Sequence, residues 1–163
     1  MSSGDFRSRL ESAIQRGQKR AQSAADRQRK KELSEDELRR LHTSYRLNLS
    51  DRIERAVTGV ADHFPGFRQE SLFGENGWGT ACYRDDLKID GGRRTNLYSR
   101  LEIVIRPFSD AKVLDMKAKG TVANREIFNR SFFADLVDVD EDEFAQLIDT
   151  WAIEFAELYA SNS

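Results

Sequence analysis

The sequence predicts an α+β fold with a long N-terminal helical segment, an antiparallel meander sheet of four to five strands, and a C-terminal helix packed on the sheet. Three observations support this order. The first 64 residues contain no proline and carry apolar residues at helical spacing. Apolar and polar residues then alternate between positions 67 and 121, with turn residues at the breaks. Helical spacing returns after Asp140.

The N-terminal segment, residues 5–64, is expected to form helix in two pieces. The first piece opens with a thin apolar stripe, Phe6, Leu10 and Ile14. Residues 15–31 contain no apolar side chain larger than alanine, and seven bases stand there against one acid. Because a helix that is polar all round is either solvated or unstable, we expect fraying or disorder in that stretch. We therefore divide the chain into a basic helical or partly disordered arm, residues 1–33, and a single α+β domain, residues 34–163.

The second helical piece begins with a capping box, in which the Ser34 hydroxyl and the Glu37 carboxylate bind free backbone N–H groups. Apolar residues then recur at helical spacing, as they do in a helix packed on a neighbour. Pro65 and Gly66 end the helix. The apolar stripe consists of Leu38, Leu41, Tyr45, Leu49, Ile53, Ala56, Val57, Val60 and Phe64.

Four segments read as strands, at 67–73, 78–89, 95–108 and 113–121. The turns between them are short, so they are expected to pair antiparallel, because parallel strands would need crossover helices. Residues 124–136 fit either a helical turn or a fifth strand, and we favour strand as far as Arg130. The acids at 140–143 mark the start of the last helix, whose positive end they complement.

Composition restricts the functional classes. The chain of 163 residues has a single cysteine, which excludes an internal disulfide framework. It shows neither a signal peptide nor a membrane span, so we expect a soluble, cytoplasmic protein without a membrane partner. His42 and His63 are too far apart to share a helical metal site, and Cys82 has no spaced partner. We assign no catalytic, cofactor-binding or metal-binding residue and expect no enzyme.

The charge distribution favours an interaction protein. The last 29 residues hold nine acids and no lysine or arginine, whereas the first 60 hold fourteen bases and nine acids. We expect a non-enzymatic protein–protein interaction domain of adaptor or chaperone type, with a protein partner or a second copy. Any dimer is predicted to use the 38–64 helix. The residues chosen for recognition are Leu38, Leu41 and Tyr45 on that helix, and Arg100, Arg106, Lys117 and Lys119 on the solvent face of the sheet.

Two alternatives remain open. A small-molecule pocket between the sheet and the C-terminal helix would be lined by Trp78, Tyr83, Phe108, Phe128, Phe132 and Trp151. These aromatics would serve equally well as core, and a cavity of at least ~300 Å³ would separate the two readings. The basic arm could instead bind nucleic acid, although a pI near 5.8 and an arm with no aromatic residue in its most basic stretch argue against it.

Overall fold

The computed structural model describes residues 3–31 and 33–162, and the chain divides into two compact units, Met1–Glu37 and Leu38–Ser163. The predicted fold class is confirmed: the sheet is a five-stranded antiparallel meander in the order β1-β2-β3-β4-β5, with the C-terminal helix packed on it. The elements in chain order are α1 (Ser3–Lys31), α2 (Glu35–His63), β1 (Arg68–Leu72), β2 (Trp78–Asp90), β3 (Arg93–Ile105), β4 (Val113–Val122), β5 (Arg125–Asp135), a 3₁₀ turn (Leu136–Asp138) and α3 (Glu141–Ser161).

Helix α1 is continuous over residues 15–31, the stretch of the helical or partly disordered arm in which we expected fraying or disorder. Alanine, arginine, lysine and glutamine dominate this stretch, and all four are strong helix formers. One exposed pair four residues apart adds support, because the Gln22 amide donates to the Asp26 carboxylate at 3.2 Å. Intrinsic propensity therefore accounts for this helix, in which the side chains of residues 15–28 are almost all exposed.

Helix α2 starts at the predicted capping box. The Glu37 N–H donates to the Ser34 hydroxyl oxygen at 3.2 Å, and the Ser34 hydroxyl donates to the Glu37 carboxylate at 3.1 Å. The apolar stripe of α2 is largely used inside the unit Leu38–Ser163, which leaves Leu41 and Tyr45 half-buried. The buried residues of α2 are Leu38, His42, Leu49, Ile53, Val57 and Val60.

The ambiguous segment 124–136 is strand β5, which runs to Asp135 and so continues past Arg130, where we ended it. The helical reading was wrong. Its pairing with β4 explains the outcome: Phe132 and Phe128 lie opposite Met116 and Gly120, so the aromatic spacing that resembled a helix serves one face of a strand.

The sheet has two distinct faces. The inner face packs against α3 and is fully buried along the centre of β3 and β4. The outer face carries the polar residues that alternate with these. Inner-face core residues include Leu101, Ile103, Ile105, Leu114 and Met116, and α3 contributes Phe144, Ile148, Trp151, Ala152, Phe155 and Tyr159.

Strands β2 and β3 form the longest ladder, from Trp78 opposite Ile105 to Asp90 opposite Arg93. The start of β2 requires glycine at position 79, because a Cβ on Gly79 would overlap the carbonyl oxygen of Ile103. Gly79 lies on the outer face, opposite Val104. The absent side chain is thus what allows the two strand backbones to approach closely at this end of the ladder.

The N-cap of α3 provides a test of the fold. The Asp140 carboxylate accepts from the N–H groups of Asp142 at 3.1 Å and Glu143 at 3.4 Å. Asp140→Ala removes the carboxylate oxygen that accepts both hydrogen bonds and should lower the free energy of unfolding by about 1 kcal/mol in urea titration. Asp140→Asn keeps an acceptor oxygen and should stay close to the unsubstituted protein. Equal losses in the two variants would contradict the cap assignment.

His42 makes stability depend on pH. Burial lowers its pKa below the ordinary 6.5, the charge of Arg46 lowers it further, and the hydrogen bond from its Nε2–H to the Arg106 carbonyl acts in the opposite direction. Below pH 6.5, His42 is protonated more readily in the unfolded chain than in the folded chain. The stability present above pH 6.5 is therefore lost as the pH falls below that value.

The measurement is urea unfolding at pH 7.5 and 5.5. His42→Gln keeps a donor for the Arg106 carbonyl but cannot titrate. The free energy of unfolding of this variant should therefore fall less between pH 7.5 and pH 5.5 than that of the unsubstituted protein, by up to about 1 kcal/mol. Thr43→Gln, at an exposed position on the same helix, is the matched control and should keep the original pH dependence, because it removes no titratable group. An unchanged pH dependence in His42→Gln would contradict the assignment.

Candidate anion-binding groove

The outer face of the sheet contains a groove of about 480 Å³, which we call the basic groove. Residues from β1, the β1–β2 turn, β3, β4 and β5 line it. All four bases that the sequence assigned to a common face are among them. The lining residues are Leu72, Phe73, Glu75, Asn76, Gly77, Arg100, Glu102, Val104, Arg106, Lys117, Ala118, Lys119 and Asn129.

The end of the basic groove is shaped by the turn between β1 and β2. The Gly77 N–H donates to the Gly74 carbonyl at 3.2 Å, which closes the turn. Gly77 has a φ of 127°, and a Cβ on it would overlap the Ile105 carbonyl oxygen. Glycine is required there both for the left-handed backbone and for the close approach. The turn brings Phe73, 79% exposed, to the rim of the groove.

Arg100 holds the centre of the outer face together. Its guanidinium bridges Glu70 of β1 at 2.8 Å and Glu102 of its own strand at 3.3 Å. Burial alone would lower the pKa of Arg100, but hydrogen bonds to Tyr98 and Glu70 and the charge of Glu102 outweigh it and raise that pKa. Ala81 of β2 lies opposite both glutamates in the register, and its small side chain leaves room for the ion pair between Arg100 and Glu70 to cross β2. Arg100 is thus neutralised by its neighbours.

Arg106 is fixed at the end of β3 by three contacts. Its guanidinium donates to the Asn76 carbonyl at 3.2 Å, and its backbone N–H donates to the Asp115 carbonyl at 2.7 Å. Its own carbonyl accepts from His42 at 3.1 Å. These contacts position the Arg106 guanidinium beside the turn, and none of them is an ion pair with a carboxylate.

Lys117 and Lys119 are the two available cations of the basic groove. Both are exposed, and neither side chain forms an ion pair or a hydrogen bond within the part of the chain that the structure describes. They alternate on β4, so their side chains point to the same face about 6.8 Å apart along the strand. Glu75 and Glu102 are the acids among the lining residues, so the four bases leave an excess of two positive charges.

The six aromatic residues of the alternative small-molecule pocket do not line the basic groove. Phe128 and Trp151 are buried, and Phe132 meets the ring of Phe144 edge-on at 4.9 Å. These rings fill the space between the inner face and α3 as core. The aromatic pocket stays a prediction for which this packing offers no support.

The other three members of that set lie elsewhere. The Arg46 guanidinium covers the Trp78 ring at 4.2 Å, and Phe108 meets the His42 ring edge-on at 5.8 Å. Tyr83 lies on the outer face, opposite Arg100 in the register, and so cannot join a pocket on the inner face. The six residues therefore do not line a single pocket.

Cys82 is buried on the inner face, and burial raises its pKa to about 11, so the thiol is protonated at neutral pH. Across the described ranges, no group of three or more histidine, cysteine, aspartate or glutamate side chains could hold a metal ion. No described helix is long and apolar enough to cross a membrane.

A second depression, the apolar groove, lies between α2 and α3 and has a volume of about 410 Å³. We did not predict it from the sequence. The signal was present as small residues on one face of each helix, Ala56 and Gly59 on α2 and Ala152 and Ala156 on α3. An ion pair between Arg52 and Asp149 ties the two helices beside it. Its lining also includes Val60, His63, Phe64, Asp149 and Ile153.

The predicted recognition residues of α2 stand apart from both grooves. Leu38 is only 6% exposed, so its side chain is committed to the core of its own unit. The half-buried Leu41 and Tyr45 precede the stretch 56–64 that contributes to the apolar groove. The use of these three residues by a partner stays a prediction.

Comparison with known proteins leaves the geometry as the sole basis for a functional assignment. No protein-family model matches the chain, and neither the curated proteins nor the solved structures show a significant match.

Proposed function

We propose that this chain is a non-enzymatic protein-interaction domain that binds an acidic segment of a partner protein in the basic groove. The observation that carries the proposal is the pair Lys117 and Lys119, exposed and without a described partner, beside the anchored Arg106. Leu72 and Val104 give the same groove an apolar component. Cations next to apolar surface suit a peptide that carries both kinds of side chain.

The spacing of the two lysines favours an extended segment. Alternate residues of a β-strand lie about 6.8 Å apart and point to one side. An extended peptide with acids at alternate positions has the same repeat, so two of its carboxylates can reach Lys117 and Lys119 together. Residues between the acids would point away from the lysines, and those beyond them would reach Phe73 at the rim.

A protein partner fits the charges better than nucleic acid does. Glu75 and Glu102 line the basic groove and would repel phosphates, and the excess of two positive charges is small for a polyphosphate. The carboxylates of a peptide can lie only at the positions that face the lysines, and so stay away from Glu75 and Glu102. Each exposed pair contributes only about 0–1 kcal/mol, so affinity is expected to be modest and sensitive to salt.

The test is binding of a labelled ten-residue peptide with glutamate and valine alternating, followed by fluorescence anisotropy at low salt. The full-length protein should bind it, and Lys117→Glu with Lys119→Glu should weaken binding at least about tenfold, because two attractions become repulsions. Lys88→Glu with Arg94→Glu makes the same change of charge at exposed positions near the β2–β3 turn and should bind normally.

Two results would overturn the proposal. One is equal binding of the peptide by both double variants, which would place the contact outside the basic groove. The other is absence of peptide binding together with salt-sensitive binding of a single-stranded oligonucleotide, which would favour the nucleic-acid alternative.

A further inference from the structure

Helix α1 exposes a line of large apolar side chains near its N-terminal end. Phe6, Leu10 and Ile14 recur every four residues, so they lie along one face of the helix. Their side chains are 67%, 47% and 51% exposed. Three aligned side chains of this size form a patch that is unfavourable in water, and such a patch marks a surface that another apolar surface covers.

Small residues continue the same face toward the C-terminal end of α1. Gly17, Ala21 and Ala24 follow Ile14 at the alternating three- and four-residue spacing of a heptad seam, and all are exposed. Glycine is unfavourable inside a helix, yet a Cβ at position 17 would meet nothing within 4 Å in this copy. No contact within the copy therefore requires Gly17, whereas a second helix that approaches closely would require it.

The large half and the small half of this seam are complementary when two copies of α1 pack antiparallel. A twofold axis perpendicular to both helices can place Ile14 of each copy opposite Gly17 of the other. The same axis then places Leu10 opposite Ala21, again a large residue against a small one. A parallel pair would instead set large residues against each other at one end and leave a gap between small ones at the other.

Charge favours the same orientation. Residues 5–14 contain two bases and two acids, whereas residues 15–28 contain four bases and one acid. A parallel pair would place the two positively charged halves side by side. An antiparallel pair places each positive half beside a neutral half, which reduces the repulsion between the helices.

From these observations we infer that α1 binds α1 of a second copy of this chain as an antiparallel helix pair, with the seam from Phe6 to Ala24 as the interface. This helix differs from the 38–64 helix expected from the sequence, whose apolar stripe is largely used inside its own unit. The interface contains none of the residues that line the basic groove or the apolar groove.

The test is the mass of the full-length protein by light scattering and sedimentation velocity over a range of concentrations. We expect a dimer. Leu10→Lys should raise its dissociation constant at least about tenfold, because it puts a cation into the apolar seam beside the positive half of the other copy. Leu47→Lys is the matched control, because Leu47 is 59% exposed on α2, and it should remain dimeric. Both variants should keep the circular dichroism spectrum of the folded protein.

Disulfide crosslinking tests the orientation separately. A mixture of Leu10→Cys and Ala21→Cys chains should form a mixed disulfide under mild oxidation, because these positions lie opposite each other in the antiparallel pair. Leu10→Cys alone should not crosslink, because the two copies of position 10 are about 16 Å apart along the helix axis. The native Cys82 is buried and does not compete.

A monomer at all concentrations would overturn the inference and leave the seam to a different protein. A dimer that persists in Leu10→Lys, or one that Leu47→Lys disrupts instead, would also overturn it. Efficient crosslinking of Leu10→Cys alone would indicate a parallel pair and contradict the antiparallel orientation. Peptide binding in the basic groove is measured with different variants, so the failure of either proposal is seen separately.

Discussion

The unit Leu38–Ser163 depends on a sheet that packs its inner face against helices and leaves its outer face to polar residues. Strand β3 shows the constraint most clearly. Leu101, Ile103 and Ile105 are completely buried on the inner face, while Arg100 and Glu102 alternate with them on the outer face. Because side chains of a strand alternate strictly, burying one set beneath α3 presents the other set to solvent. The basic groove is therefore a consequence of the same alternation that builds the core.

Two small residues allow close contacts at the outer face. Gly79 allows β2 to approach the carbonyl of Ile103, and Ala81 leaves space for Arg100 of β3 to reach Glu70 of β1 across β2. Arg100 therefore links β1 and β3, and its charge is neutralised by Glu70 and by Glu102 of its own strand. Lys117 and Lys119 lie on β4, on the other side of β3 from β2, and their side chains form no ion pair with a described residue.

The sequence predicted the features that depend on local period and local chemistry. The Ser34 and Asp140 caps, the meander and the common face of the four bases all follow from spacing along one element or between neighbouring strands. The sequence left α1 open between helix and partial disorder, because its missing apolar face argues against a stable helix whereas its residue propensities favour one. The extent of β5 was missed because Phe128 and Phe132, four residues apart, satisfy a helical and a strand period equally well.

The grooves could be predicted only in part, for a reason that differs between them. Grouping four bases on the outer face needs only alternation, but the neutralisation of Arg100 depends on Glu70 from another strand. The apolar groove depends on the distance between α2 and α3, which the contact of the Phe64 and Tyr159 rings at 4.9 Å and the ion pair of Arg52 with Asp149 set together. No periodicity within one helix encodes that distance.

The two grooves lie on opposite layers of the unit. The basic groove lies on the outer face of the sheet, whereas the apolar groove lies between the two helices on the other side. A partner that occupies one groove therefore leaves the other accessible. Exposed ion pairs are worth only about 0–1 kcal/mol each, so a single pair would not give selective binding in the basic groove. Selectivity there would require both lysines and the apolar residues Leu72 and Val104 to contact the same ligand.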